Sequence, residues 1–131
     1  MNRRQVSSGG PWEGPYGYSR AVRAGRQVAV AGTTATNPDG TVTGAGDAYL
    51  QARRCFEVIE AALREAGATL GDVVRTRMFI TRAEDSDAVG RAHGEVFAAI
   101  RPAATMVVVA ALIDPRLLVE IEADALVDSG E

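Results

Sequence analysis

Towards the end of the chain three carboxylates alternate with apolar residues: Val119, Glu120, Ile121, Glu122, Ala123, Asp124, Ala125. That two-residue period describes a strand with one oily side and one acidic side. Such a row is either the wetted side of a sheet or the wall of a site where an acid handles protons. The one imidazole, His93, falls inside an apolar helical stripe, which suits a core or interface histidine as well as an acid/base group. The one thiol, Cys55, sits mid-helix among apolar neighbours, the setting of an inert cysteine rather than a nucleophile. A single cysteine and a single histidine exclude an internal disulfide and supply too few ligands for a Cys/His zinc site within the chain.

The elements that must position these groups follow from pattern. Residues 1–16, rich in Gly, Ser and Pro, read as an irregular arm. Residues 18–22 and 27–31 read as strands joined through Ala24-Gly25-Arg26, a hairpin link. Residues 36–46 form a surface loop turning at Pro38-Asp39-Gly40. Asp47 can cap a helix to about Ala66, because Ala52, Cys55, Phe56, Ile59, Ala62, Leu63 and Ala66 recur at helical spacing and Gly67 suits the stop. Residues 72–81 alternate as a strand, with Val74, Thr76, Met78 and Ile80 on one side. Asp85 or Ser86 caps a second helix whose stripe is Val89, Ala92, His93, Val96, Phe97 and Ile100, ended by Pro102. Strands at about 104–112 and 118–127 follow, read as a hairpin across Asp114-Pro115-Arg116.

The 131 residues suit one domain, here 17–127, with 128–131 as a tail. The order is ββ-α-β-α-ββ, an α+β fold. Two helices can cover only one face of a sheet of about five strands, so the other face requires a partner and an oligomer is expected. A net charge of −3 gives no electrostatic case for nucleic acid. No apolar run reaches the ~18 residues of a membrane span. Two arginines near the start precede no apolar segment, so a cytoplasmic protein is expected.

Several stretches carry a resemblance: Tyr18-Ser19-Arg20-Ala21-Val22, Val30-Ala31-Gly32, Gly71-Asp72-Val73-Val74-Arg75, Arg101-Pro102-Ala103-Ala104-Thr105-Met106-Val107 and Val119-Glu120-Ile121-Glu122-Ala123. In this order, over roughly residues 14–127, the chain resembles the RidA/YjgF/UK114 (Rid) family. The resemblance implies a chorismate-mutase-like α+β fold and a homotrimer with small-molecule clefts between subunits. It implies hydrolysis of enamines and imines to ammonia and a 2-oxo acid, without metal or organic cofactor.

It also implies a site. Tyr18 matches a tyrosine over the ligand, Gly32 a backbone donor, Glu120 the carboxylate that positions water, and Met106 the residue whose carbonyl helps hold that water. Thr33 and Thr105 stand where other polar contacts occur. At Ala104 the chain departs from the family, whose deaminating members place there an arginine that grips the substrate carboxylate by two charge-assisted hydrogen bonds. Arg20, Arg77 and Arg101 are candidate substitutes, against the plainer reading of surface or interface arginines. Arg20 shares strand parity with Tyr18. His93 is a candidate acid/base if its helix edges the cleft. The expectation is therefore a Rid-like hydrolase of a non-standard imine or enamine, with Glu120 catalytic. The alternative is a ligand-binding trimer that has lost 2-imino acid deamination. Ribonuclease activity, a label attached to the family, is disfavoured by the acidic balance.

Overall fold

The computed structural model describes residues 3–128. The rest of the tail, 129–131, lies outside the described residues. Among the described residues six strands form one sheet: β1 (Arg3–Val6), β2 (Ala21–Ala24), β3 (Gln27–Thr33), β4 (Val73–Ile80), β5 (Ala103–Val108) and β6 (Val119–Leu126), in the order β1-β2-β3-β6-β4-β5. A one-turn helix α1 (Glu13–Tyr16) lies in the arm, and α2 (Ala48–Glu65) and α3 (Ser86–Phe97) are the two long helices. None of these helices is long and apolar enough to cross a membrane.

Helix α2 forms as its sequence dictates. The Asp47 carboxylate accepts the Leu50 amide hydrogen bond at 3.0 Å, a cap contributing about 1 kcal/mol. Its stripe from Ala52 to Ala66 is buried, and Gly67 takes φ +83° just past the end. The chain makes two helical crossovers, from β3 to β4 through α2 and from β4 to β5 through α3. Strand β4 pairs parallel with β5 through α3, and β6 returns antiparallel between β3 and β4. Both crossovers place their helices on the same face, over Val28, Val30, Met78, Ile80, Val119 and Ile121.

Four expectations need correction. Residues 103–126 are not a hairpin: β4 separates β5 from β6, because the α3 crossover commits β5 to the parallel edge of β4. The arm is not wholly irregular, since Arg3–Val6 adds a strand antiparallel to β2. Its return is fixed by the buried Glu13 carboxylate, which accepts hydrogen bonds from Ser8 N at 3.2 Å and Ser8 Oγ at 2.9 Å. The strand expected from residue 18 starts at Ala21. Val74 is half exposed rather than aligned with Thr76, because a bulge sets both Val74 and Arg75 against Asp124 and leaves Val73 to enter the core.

The sheet's other face carries Val22, Ala29, Glu120, Glu122, Asp124, Arg77, Phe79, Thr105 and Val107 in register, and no described element lies over it. Edge strand β5 is largely exposed, with Val107 at 42% and Val108 at 55%, although its sequence is almost purely apolar.

Candidate functional site

Strand register decides which candidates can meet. On β6, Val119, Ile121, Ala123 and Ala125 are buried under the helices, so Glu120, Glu122 and Asp124 leave the sheet on its open side. Glu122 and Asp124 are taken up by their own chain: Arg77 Nη1 donates to both, at 3.1 and 3.2 Å. Glu120 is different. It is half-buried, and no hydrogen bond or ion pair to it occurs among the described residues. Burial raises its pKa above the ordinary value, Arg20 pulls it down, and Glu122 adds a repulsion that raises it.

What makes room for this carboxyl is a second bulge. Val30 faces Ala123 and Thr33 faces Ile121, so Ala31 and Gly32 together oppose Glu122 alone. A side chain at Gly32 would overlap Glu120 Oε2 and lie 3.1 Å from Cδ. With Glu120 in this position there is room only for glycine.

Arg20 completes the group. It is only 8% exposed. Its Nη1 donates to Gly32 O at 2.6 Å and to Thr33 Oγ1 at 3.0 Å. The Tyr18 ring lies 5.7 Å from the guanidinium carbon. Thr33 is enclosed, and its hydroxyl donates to Ala31 O at 2.8 Å while receiving Arg20. It therefore braces the arginine and does not face the open side of the sheet. Tyr18, Arg20, Gly32 and Glu120 thus gather at one place.

The remaining candidates lie elsewhere. Met106 packs towards α3, its Cε 3.9 Å from where a Cβ on Gly90 would stand. Ala104 shares that parity on β5, beside Thr76. His93 Nε2 hydrogen-bonds Thr76 Oγ1 at 2.8 Å, between Phe56 and Phe97, and burial lowers its pKa. These three residues are on the helix side of the sheet, away from Glu120 of the same chain. Thr105 is on the open side, beside Arg77. Arg101 is exposed, at φ +57° after α3. Cys55 is fully buried, its thiol donating to Thr33 O at 3.2 Å, and burial with Glu120's charge pushes its pKa far up. Among the described residues no three His, Cys, Asp or Glu side chains converge to hold a metal ion.

Sequence reading overlooked Gln51. Its fully buried amide donates to Gly44 O at 3.2 Å and Arg116 O at 3.1 Å and accepts from Leu118 N at 2.8 Å. It pins the two long loops and the start of β6, hence the height of Glu120. A polar residue interrupting the first turn of the α2 stripe was the available signal.

Comparison with known proteins accords with this arrangement. The sequence profile described as endoribonuclease L-PSP matches residues 13–127. The chain belongs to the YjgF/RidA/UK114 family. Within this family it is similar to the crystal structure of a YjgF/YER057c/UK114 member from Mycobacterium tuberculosis, with 50% identity, a TM-score of 0.87, and coverage of 96% of this chain and 100% of that one. The YjgF structure from E. coli superposes with a TM-score of 0.81 at 29% identity, covering 94% and 98% of the two chains. The 3-aminoacrylate deaminase RutC of Acinetobacter baylyi is 34% identical over 79% of this chain and 82% of its own length. The α+β architecture expected from the family resemblance is the one observed.

Proposed function

We propose that this YjgF/RidA/UK114 chain is a cytoplasmic, homotrimeric hydrolase of small imines or enamines. In this reading Glu120 steers the attacking water in a cleft between subunits. One observation carries it: Glu120 is half-buried, raised in pKa and without an ion-pair partner among the described residues, at a place cleared by Gly32. A carboxyl with these properties holds and releases a proton near neutral pH more readily than an exposed glutamate. As the water oxygen bonds to the imine carbon, the Glu120 carboxylate takes its proton. It hands that proton to nitrogen, giving a carbinolamine, then takes the hydroxyl proton and passes it to nitrogen as well while the carbon–nitrogen bond breaks, leaving a carbonyl compound and ammonia. An enamine first accepts a proton on carbon and joins the same course. No metal or organic cofactor takes part in this scheme.

Two further observations support assembly. The open sheet face and the apolar edge β5 need cover. Met106, Ala104 and His93 occupy the opposite side of the sheet from Tyr18, Gly32 and Glu120, so both sets line one cleft only if different copies contribute them. The named activity of the RutC relative, 3-aminoacrylate deamination, is of the same class.

The test is ammonia release from 2-iminobutanoate and 2-iminopropanoate formed in situ, with sedimentation velocity on the same samples. Wild type is expected to sediment as a trimer and to exceed Glu120→Ala. Equal rates for the two proteins would defeat the hydrolytic reading. The absence of an arginine at Ala104 favours a second reading, a binding trimer without turnover. Ligand-induced thermal stabilisation without Glu120-dependent ammonia release would identify it.

A further inference from the structure

We infer that Arg20 is the anion-binding and specificity-determining residue of the Glu120 pocket, gripping a carboxylate of the ligand. The inference rests on the reading that the Glu120 pocket binds a small molecule.

Arg20 is more than nine-tenths buried, yet among the described residues only one of its nitrogens is engaged. Nη1 is fixed by the Gly32 carbonyl and the Thr33 hydroxyl, while Nε is buried with no hydrogen-bond partner among the described residues. The Nε–H and one N–H of Nη2 form the parallel fork of a guanidinium that fits the two oxygens of a carboxylate. The guanidinium is therefore held by Nη1, and its Nε–Nη2 edge meets no acceptor among the described residues. A buried donor without a partner is uncommon, and at a binding site it marks where a ligand supplies the acceptor.

The obvious internal acceptor does not take it. Glu120 is near enough for its charge and that of Arg20 to influence one another, but the two form no ion pair within the described residues. Neither edge is taken up by the other among the described residues. A ligand whose carboxylate occupied the fork would carry its adjacent carbon towards Glu120. Tyr18, over the guanidinium, shields that contact from water. The other candidate arginines are unsuited: Arg77 is bound to Glu122 and Asp124, and Arg101 is exposed beyond α3.

The test is isothermal titration of the full-length protein with sodium 2-oxobutanoate and with its uncharged isostere 2-oxobutanamide. Wild type is expected to favour the acid by at least about tenfold, the scale of one or two charge-assisted hydrogen bonds. Arg20→Lys retains a positive donor for Gly32 O but lacks the fork, and should cut that preference to about threefold or less at an unchanged melting temperature. Arg20→Gln should abolish it. A structural role alone would move the melting temperature, not the acid-to-amide ratio. A wild type that binds acid and amide equally overturns the inference without recourse to any variant, as does a preference that survives Arg20→Lys. If ammonia release still depends on Glu120 in those cases, the hydrolytic reading stands and only Arg20's role falls. Failure of wild type to bind either compound, together with no Glu120-dependent release, removes both.

Discussion

Replacing Gly32 by alanine should separate activity from stability. The backbone at Gly32 is not in the left-handed region, so alanine costs nothing in backbone strain. Within a strand it gains about 0.5–1 kcal/mol over glycine by restricting the unfolded chain. Against this, the new methyl overlaps Glu120 Oε2 and stands 3.1 Å from Cδ and 3.4 Å from Cγ. The nearest atom is the end of a flexible side chain, so the carboxyl swings away at about 0.5–1.5 kcal/mol of rotamer cost. The two terms nearly cancel, and the melting temperature should move by no more than about 4 °C. Catalysis has no such compensation. A carboxylate displaced by about 1 Å from the water it orients loses about 100-fold in rate. Ammonia release from 2-iminobutanoate and a thermal melt, measured on wild type, Gly32→Ala, Glu120→Ala and the double variant, give the answer. The double variant should match Glu120→Ala in rate, since the methyl then has nothing to displace. A folded Gly32→Ala that keeps wild-type turnover would refute the reasoning. So would a melting temperature lowered by 10 °C or more, about the effect of 2 kcal/mol, because the methyl would then be striking something less yielding than Glu120.

Three further outcomes are expected. Glu120 has a folded pKa above its ordinary value of 4.5, so its contribution to stability is fully present below about pH 4.5 and is lost as the pH rises through the raised value; Glu120→Gln should therefore melt higher than wild type at pH 7, with the difference vanishing below about pH 4.5, and a constant difference would show that the acid is not strained by burial. Gln51→Leu strands Leu118 N and two loop carbonyls and should lower stability by about 2–3 kcal/mol in urea unfolding; a loss under about 0.5 kcal/mol would mean that water replaces the amide. Arg101, at φ +57°, pays a left-handed penalty that glycine avoids, so Arg101→Gly should raise stability by about 0.5–1 kcal/mol, and a lower melting temperature would reveal a contact that outweighs the strain.

Much of this fold is written locally. The Asp47 cap, the α2 stripe and the turn at Gly25 depend on neighbours a few residues apart, and there reading and structure agree. The strand order is not local. Residues 103–126 resemble a hairpin because nothing in them reveals that β4, some thirty residues earlier, occupies the slot between. The apolar run in β5 suggests a buried strand by the usual rule, yet within one chain it is an exposed edge. The carboxylate row is legible as a row, and within it only the family resemblance singles out Glu120; the pattern itself does not, because Arg77, which quiets Glu122 and Asp124 and leaves Glu120, comes from the adjacent strand. Arg20 reads as a solvated arginine because the groups that bury it, Gly32 O and Thr33 Oγ1, come from the next strand.

The departures from ordinary folding chemistry are not scattered. Among the described residues, a buried guanidinium nitrogen without an acceptor, a half-buried carboxyl without a donor, a bulge that interrupts the β3–β6 ladder and a glycine with no room for a methyl all fall at Arg20, Glu120, Ala31 and Gly32. Pairing Arg20 with Glu120 would relieve two of these at once, and the two are near enough for their charges to influence one another. The Gly32 carbonyl and the Thr33 hydroxyl hold the arginine back from that pairing. A fold selected only for stability has no reason to keep the two charges apart. One that must receive a molecule carrying both an acceptor and a reactive centre does, because a closed ion pair would have to be broken each time the ligand arrived.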